Sequence, residues 1–156
     1  RILSSAASDV YKRQPLHSGH IKYFKAAAKQ GDKLYVGINS NEWLIQKKGK
    51  PFMPYEERAA IIKELKCVDG IVDFDDGDGS SSDAIQELLN KYKRASIIFC
   101  NGGDRKKENI PEADIFADEK RVVFKDGVGG TEKINSSSWI VLEYMEGKNE
   151  IIESKE

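Results

Sequence analysis

Short apolar runs alternate with amphipathic stretches along most of this chain, and that alternation restricts the fold more than any other feature. Lys33-Leu34-Tyr35-Val36-Gly37-Ile38, Val68 to Phe74, Ala95 to Cys100 and Arg121-Val122-Val123-Phe124 each read as a short buried strand. Helical spacing fills the intervals. From Ser18 to Gln30 the residues Ile21, Phe24 and Ala28 fall on one stripe, and Gly31 is placed to end the helix. Pro54 opens a second helix, which reaches about Lys66 with Ile61, Ile62 and Leu65 apolar. Ser82 is placed to cap a third, in which Ile85, Leu88, Leu89 and Tyr92 follow the i, i+3, i+4, i+7 pattern. A short helix is expected from Pro111 to Ala117, and Ser136-Ser137-Ser138 are placed to cap a last one through Trp139, Ile140 and Leu142. This order implies a parallel sheet covered on both faces, an α/β Rossmann-like three-layer sandwich. Ligands in such sheets bind beyond the carboxyl ends of the strands. The segments that follow strands are therefore where chemistry is expected.

Composition narrows the partners. A chain of 156 residues is long enough for one domain with a proper core. Its formal net charge is -1, so no basic field argues for nucleic acid. No apolar run is long enough to span a bilayer, and no signal peptide is visible. Cys67 and Cys100 lie in or beside apolar stretches without a CxxC motif. They read as buried reduced thiols, which points to a cytoplasmic setting and to no protein-held metal.

Both histidines of the chain sit in one tetrapeptide, His17-Ser18-Gly19-His20, at the start of the first helix. Residues i and i+3 at a helix start face the same way, and the helix end offers main-chain N–H groups and a positive dipole end. Two imidazoles there suit a triphosphate, with Gly19 letting a phosphate approach the backbone. A helix opening of this kind normally follows a central strand. Residues 1–14, Arg-Ile-Leu-Ser-Ser-Ala-Ala-Ser-Asp-Val-Tyr-Lys-Arg-Gln, contain no convincing strand and do not begin with methionine. They read as a foreign or disordered segment, with the first strand of the sheet missing or replaced; a divergent native N-terminus is the alternative.

Four further patches follow in order. Lys47-Lys48-Gly49-Lys50-Pro51 puts lysines in a flexible segment, and Pro54-Tyr55-Glu56-Glu57-Arg58 opens a helix. Asn101-Gly102-Gly103-Asp104 turns after a strand, and Thr131-Glu132-Lys133-Ile134-Asn135 leads into the three serines. Taken singly they are a solvated lysine run, an exposed arginine paired to glutamate, a turn and an N-cap.

Together, from about Leu16 to Ile140, they resemble the cytidylyltransferase-like nucleotidyltransferases. The likeness is closest to glycerol-3-phosphate cytidylyltransferases and to the adenylyltransferase domain that makes ADP-heptose. The resemblance implies a nucleotidyltransferase domain over 15–147, with a charged tail over 148–156. It implies transfer of a nucleotidyl group from ATP or CTP to a phosphorylated sugar or polyol, with pyrophosphate leaving. By the same resemblance His17 and His20 hold the triphosphate, and Lys48 or Lys50 binds phosphates from a mobile loop. Arg58 grips substrate or nucleotide phosphate. Gly102, Gly103 and Asp104 approach base and ribose, and Ser136, Ser137 and Ser138 meet the β- and γ-phosphates. Mg²⁺ is expected to arrive on the phosphates with few protein ligands. A homodimer is expected because related small enzymes pair. The chain also departs from the family's pattern. Asn41 stands where an aspartate is expected, and Lys133 stands in for an arginine before the last helix. The Asn101-to-Asp104 turn looks more like the adenylyltransferase branch. A non-catalytic nucleotide-binding domain is the rival reading.

Overall fold

The computed structural model describes residues 2–8, 16–48, 53–100 and 110–130. In chain order the elements are β1 (Ile2–Ser8), α1 (Ser18–Ala28), β2 (Lys33–Ile38), α2 (Asn41–Lys48) and α3 (Tyr55–Lys63), then β3 (Gly70–Val72), α4 (Ser82–Lys91), β4 (Ser96–Cys100), α5 (Pro111–Ile115) and β5 (Val122–Lys125). The strands form one parallel sheet in the order β3-β2-β1-β4-β5. The chain winds outward from β1 to one edge, crosses back beside β1, and winds to the other edge. That reversal opens a crevice at the carboxyl ends of the central strands.

The central position of β1 corrects the expectation that the first strand is missing: residues 2–8 fill its place in the sheet. Leu3 to Ser8 run beside Lys33 to Ile38, and Ile2 to Ala6 beside Ser96 to Cys100. Parallel ladders are made by main-chain groups and need no particular side chain. Small residues such as Ser4-Ser5-Ala6-Ala7 have weak strand preference, but strand preference is set by context, and two flanking strands supply it here.

Alternate side chains of the strands serve opposite cores. Leu34, Val36 and Ile38 join Phe24, Ala27 and Ile62 beneath α1 and α3. Tyr35 joins Ile85, Leu88, Phe99 and Phe116 beneath α4 and α5. The expected three layers are therefore present. Cys100 is buried, and burial raises its thiol to about 11; Cys67 is partly buried, and neither cysteine is in a disulfide.

Local details depart from the sequence reading where polar residues take part in packing. The buried face of α1 is His20, Phe24 and Ala27, one step round from the stripe through Ile21 and Ala28. In α3 the buried residues are Arg58 and Ile62, while Ile61 is 39% exposed. Pro54 precedes α3 as its N-cap. The chain from Asn41 to Lys48 is helical, so Lys47 and Lys48 end α2 and do not lie in a loop. Its Asn-Glu-Trp-Leu-Ile-Gln-Lys-Lys sequence holds several good helix formers, and the Ser40 hydroxyl caps it by accepting the Trp43 N–H at 3.1 Å. The cap of α4 is Ser81, not Ser82. Its N–H donates to the buried Glu112 carboxylate at 2.6 Å, so a charge from α5 serves the positive end of α4. Among the described residues no helix is long and apolar enough to cross a membrane. The expected last helix and charged tail lie outside the described residues.

Candidate active site

The first turn of α1 is organised by its two histidines. His17 is the N-cap, with extended backbone (φ -137°, ψ 173°). Its Nδ1 accepts the Gly19 N–H at 3.0 Å, and His20 Nδ1 accepts the His17 N–H at 3.2 Å. This is a capping box in which imidazoles play both parts. The rings lie 4.0 Å apart between centroids, inclined by 43°. The His20 N–H donates to His17 O at 3.0 Å. The Gly19 N–H, expected to lie open to a phosphate, is engaged by a ring in this structure.

His20 is only 8% exposed. Burial, and next the neighbouring His17, lower its pKa from 6.5 to about 4, so the ring is neutral at pH 7. A lowered histidine pKa means that the unfolded chain takes up a proton near 6.5 that the native ring refuses until about 4. Stability is therefore expected to fall as pH drops through that window. The loss approaches about 3 kcal/mol at its lower end. Urea midpoints across the window check this; the slope is steeper than in His20→Asn, and equal slopes would refute it.

Two contacts hold α1 at the sheet's carboxyl edge. The Tyr23 hydroxyl donates to Cys100 O, the last residue of β4, at 2.6 Å. From the other side the loop after β5 approaches the Tyr23 backbone. A Cβ on Gly129 would come within 3.1 Å of Tyr23 Cα, and Gly129 has φ +84°. Gly129→Ala is therefore expected to lose about 2 kcal/mol, from both strain and contact. Gly127→Ala has the strain alone, since nothing lies within 4 Å of a Cβ there, and is expected to lose about 1 kcal/mol. Urea unfolding of both variants measures the difference.

The end of β2 carries a buried polar network that sequence reasoning placed only in part. Arg58 is 1% exposed. Its Nε donates to Met53 O at 3.1 Å, Nη1 to Asn39 O at 2.8 Å and Nη2 to Asn41 Oδ1 at 2.8 Å. The residue is not an exposed helix position, and in this structure its fork binds protein oxygens. It fastens the start of α3 to the turn after β2. Asn41, where an aspartate was expected, fills the acceptor role with its amide oxygen and also receives the Tyr55 N–H at 2.9 Å. Asp76, 7% exposed, closes the same turn from the β3–α4 loop. It accepts the Ser40 N–H at 2.8 Å, the Ser40 hydroxyl at 2.7 Å and the Asn39 amide at 3.3 Å. Sequence reasoning missed Asp76. Nothing in Asp75-Asp76-Gly77-Asp78 marks one carboxylate as buried, and only the tertiary contact singles it out.

The structure thus brings His17, Gly19 and His20 to the edge where β4 ends, and places Arg58 at the neighbouring end of β2. The backbone of Lys48 closes α2. Lys50, Gly102, Gly103, Asp104, Lys133, Ser136, Ser137 and Ser138 lie outside the described residues. Among the described residues no cluster of three or more His, Cys, Asp or Glu side chains could hold a metal ion. A groove between α4 and α5 is lined by Asp75, Asp78 and Asp83 with Ile115 and Phe116. Its carboxylates disfavour a triphosphate.

A parallel sheet whose strand order reverses beside its central strand, with paired imidazoles on the helix that follows that strand, is a Rossmann-like domain. A sequence model of the cytidylyltransferase-like family matches residues 14–115, and the chain belongs to that family. The bifunctional protein HldE of Vibrio parahaemolyticus serotype O3:K6 is 35% identical over 127 residues, covering 78% of this chain and 25% of the relative. HldE of Sulfurimonas denitrificans is 33% identical over 121 residues, 76% of this chain and 24% of the relative. The chain therefore spans about a quarter of the length of these relatives. Among solved structures, a lipopolysaccharide core biosynthesis protein from Thermoplasma volcanium is 27% identical, with a TM-score of 0.56 over 81% of this chain and 93% of that one. A structure from Vibrio parahaemolyticus, 13% identical with a TM-score of 0.61 over 94% of this chain and 88% of that one, shows the fold alone.

Proposed function

We propose that this domain transfers a nucleotidyl group from ATP or CTP to the phosphate of a phosphorylated sugar or polyol. The observation that carries the reading is the pair of histidines held ring to ring at the start of α1, beside the carboxyl end of β4. An oxygen of the acceptor's phosphate attacks the α-phosphorus. The bond from that phosphorus to the bridging oxygen breaks, and pyrophosphate leaves. A phosphate monoester is largely ionised at neutral pH, so no base has to remove a proton. The demand on the protein is positioning and charge stabilisation.

His17 and His20 meet that demand as hydrogen-bond donors to the triphosphate. Arg58, bound to protein oxygens, sets the shape of the Asn39-Ser40-Asn41 turn at the site's edge. Lys48 or Lys50 neutralises phosphate charge, and Gly102, Gly103 and Asp104 meet the base and ribose. Lys133 and Ser136 to Ser138 take the β- and γ-phosphates. When bound, Mg²⁺ rides on the phosphate oxygens and offsets their charge. The likeness of the Asn101-to-Asp104 turn to the adenylyltransferase branch favours ATP.

Pyrophosphate release with ATP and CTP, across a panel of sugar 1-phosphates and polyol phosphates, tests the reading. Turnover with one acceptor class is the expected result. Tight nucleotide binding without product from any acceptor would replace it with a non-catalytic nucleotide-binding domain. Light scattering on the same sample tests the homodimer.

A further inference from the structure

We infer that Tyr23 is a positioning residue for nucleotide recognition: its hydroxyl ties α1 to the point where the chain leaves β4, and so governs how well the site tells one base from another. The recognition role rests on the transferase reading above; the tie itself does not.

Tyr23 lies where three segments of the candidate site meet. It follows His20 by three residues on α1, so the two share one side of the helix. Its hydroxyl donates to Cys100 O at 2.6 Å, across 77 residues of sequence. Its backbone carries the turn after β5. A Cβ on Gly129 would lie 3.1 Å from Tyr23 Cα and 3.5 Å from Tyr23 N, so only a glycine lets that turn come so close. The Gly130 N–H closes the turn by donating to Gly127 O at 3.0 Å. From Cys100 the chain runs on into 101–104, proposed to meet base and ribose. From Gly130 it runs on into 131–138, proposed to meet the β- and γ-phosphates. One residue thus joins the histidine helix to the starts of both other segments.

The bond to Cys100 O acts on direction more than on stability. Cys100 is the last residue of β4, in register with Ala6 of β1 and Lys125 of β5. A peptide group is planar, so a donor fixed on the Cys100 carbonyl fixes the whole plane by which the chain leaves the strand. Every dihedral further on starts from that plane. The other end of the tie is equally fixed. The Cα of Tyr23 belongs to a helix, and its ring lies 5.8 Å, between centroids, from that of the fully buried Phe24. A single neutral hydrogen bond adds little net stability. Its loss should therefore leave the domain folded while it frees the direction in which the chain leaves β4.

Tyr23→Phe removes the hydroxyl and keeps the ring. Tyr35→Phe is the matched control, because it deletes a hydroxyl bonded to that of Tyr92, the C-cap of α4. The quantity to measure is the ratio of kcat/KM with ATP to kcat/KM with CTP, at one phosphorylated acceptor. In Tyr23→Phe that ratio is expected to move toward one by about fivefold, the worth of one neutral hydrogen bond. In Tyr35→Phe it is expected to match the parent. General loosening of the fold slows both nucleotides alike and leaves the ratio where it was. A ratio in Tyr23→Phe equal to the parent's would overturn the role in recognition.

Hydrogen exchange reads the tie without any nucleotide. A peptide spanning residues 98–104 is expected to exchange faster in Tyr23→Phe than in the parent, and at the parent's rate in Tyr35→Phe. Equal exchange in Tyr23→Phe and the parent would mean that the hydroxyl does not hold the end of β4, and would overturn the tie. Absence of turnover with either nucleotide in the unsubstituted chain would remove the transferase reading and the recognition role with it, while hydrogen exchange would still decide the tie.

Discussion

Alanine at position 20 is expected to slow pyrophosphate release by about 100-fold or more, with kcat falling at least as far as kcat/KM. The magnitude is that of one donor aimed at charge that develops in the transition state, about 3 kcal/mol. His20 is suited to that part because three observations agree. Its ring is 8% exposed, its Nδ1 is held by the His17 N–H, and burial keeps it neutral at pH 7. An interaction made only in the transition state lowers kcat, whereas one made equally in the ground state raises KM. Initial rates over a substrate series distinguish these. A variant with unchanged kcat and raised KM would make His20 a binding residue only, and unchanged kinetics would remove it from the site.

The second large effect is on stability. Arg58→Ala is expected to lose about 4 kcal/mol, because it deletes three charge-assisted bonds and takes the guanidinium donor from the buried Asn39 carbonyl. Asn39 O and Asn41 Oδ1 lose their guanidinium donor, and Met53 O loses its bond as well. Domains of this size have about 5–15 kcal/mol in total, so the variant should be marginally folded. Arg58→Lys keeps the charge but not the fork, and should fall between the two. Urea unfolding measures both. A midpoint for Arg58→Ala within error of the parent would mean that the network carries no net stability and that Arg58 is held there for the ligand. The same network makes a further point about specificity of structure. Asp76 and Arg58 grip one turn from opposite sides, so displacement of either should move Asn39 and Ser40 at the end of β2.

Much of the architecture was legible in the chain because it rests on period and punctuation. Leu34 to Ile38 and Ile97 to Cys100 are too apolar to be anything but buried strands, and Ile85, Leu88 and Leu89 keep helical spacing. The histidine pair was legible because a three-residue interval at a helix start has one geometric meaning. The strand at Ile2–Ser8 was not. Its residues carry no apolar pattern, and its place comes from main-chain ladders to two strands more than twenty residues away in sequence.

The residues themselves thus determined the parallel α/β fold and the placing of two imidazoles together at the start of its first helix, where the ligand is proposed to bind. Those conclusions follow from side-chain patterns that act over a turn of helix or a few residues of strand. Only the tertiary structure decided that Arg58 is a clamp, that Asp76 is the buried member of an acidic run, and that the Gly19 N–H serves a histidine ring. Each of these depends on which polar partner lies within about 3 Å after the chain has folded. Local sequence does not encode that distance, because burial turns an ordinary surface charge into an obligatory contact only once the neighbouring elements have closed over it.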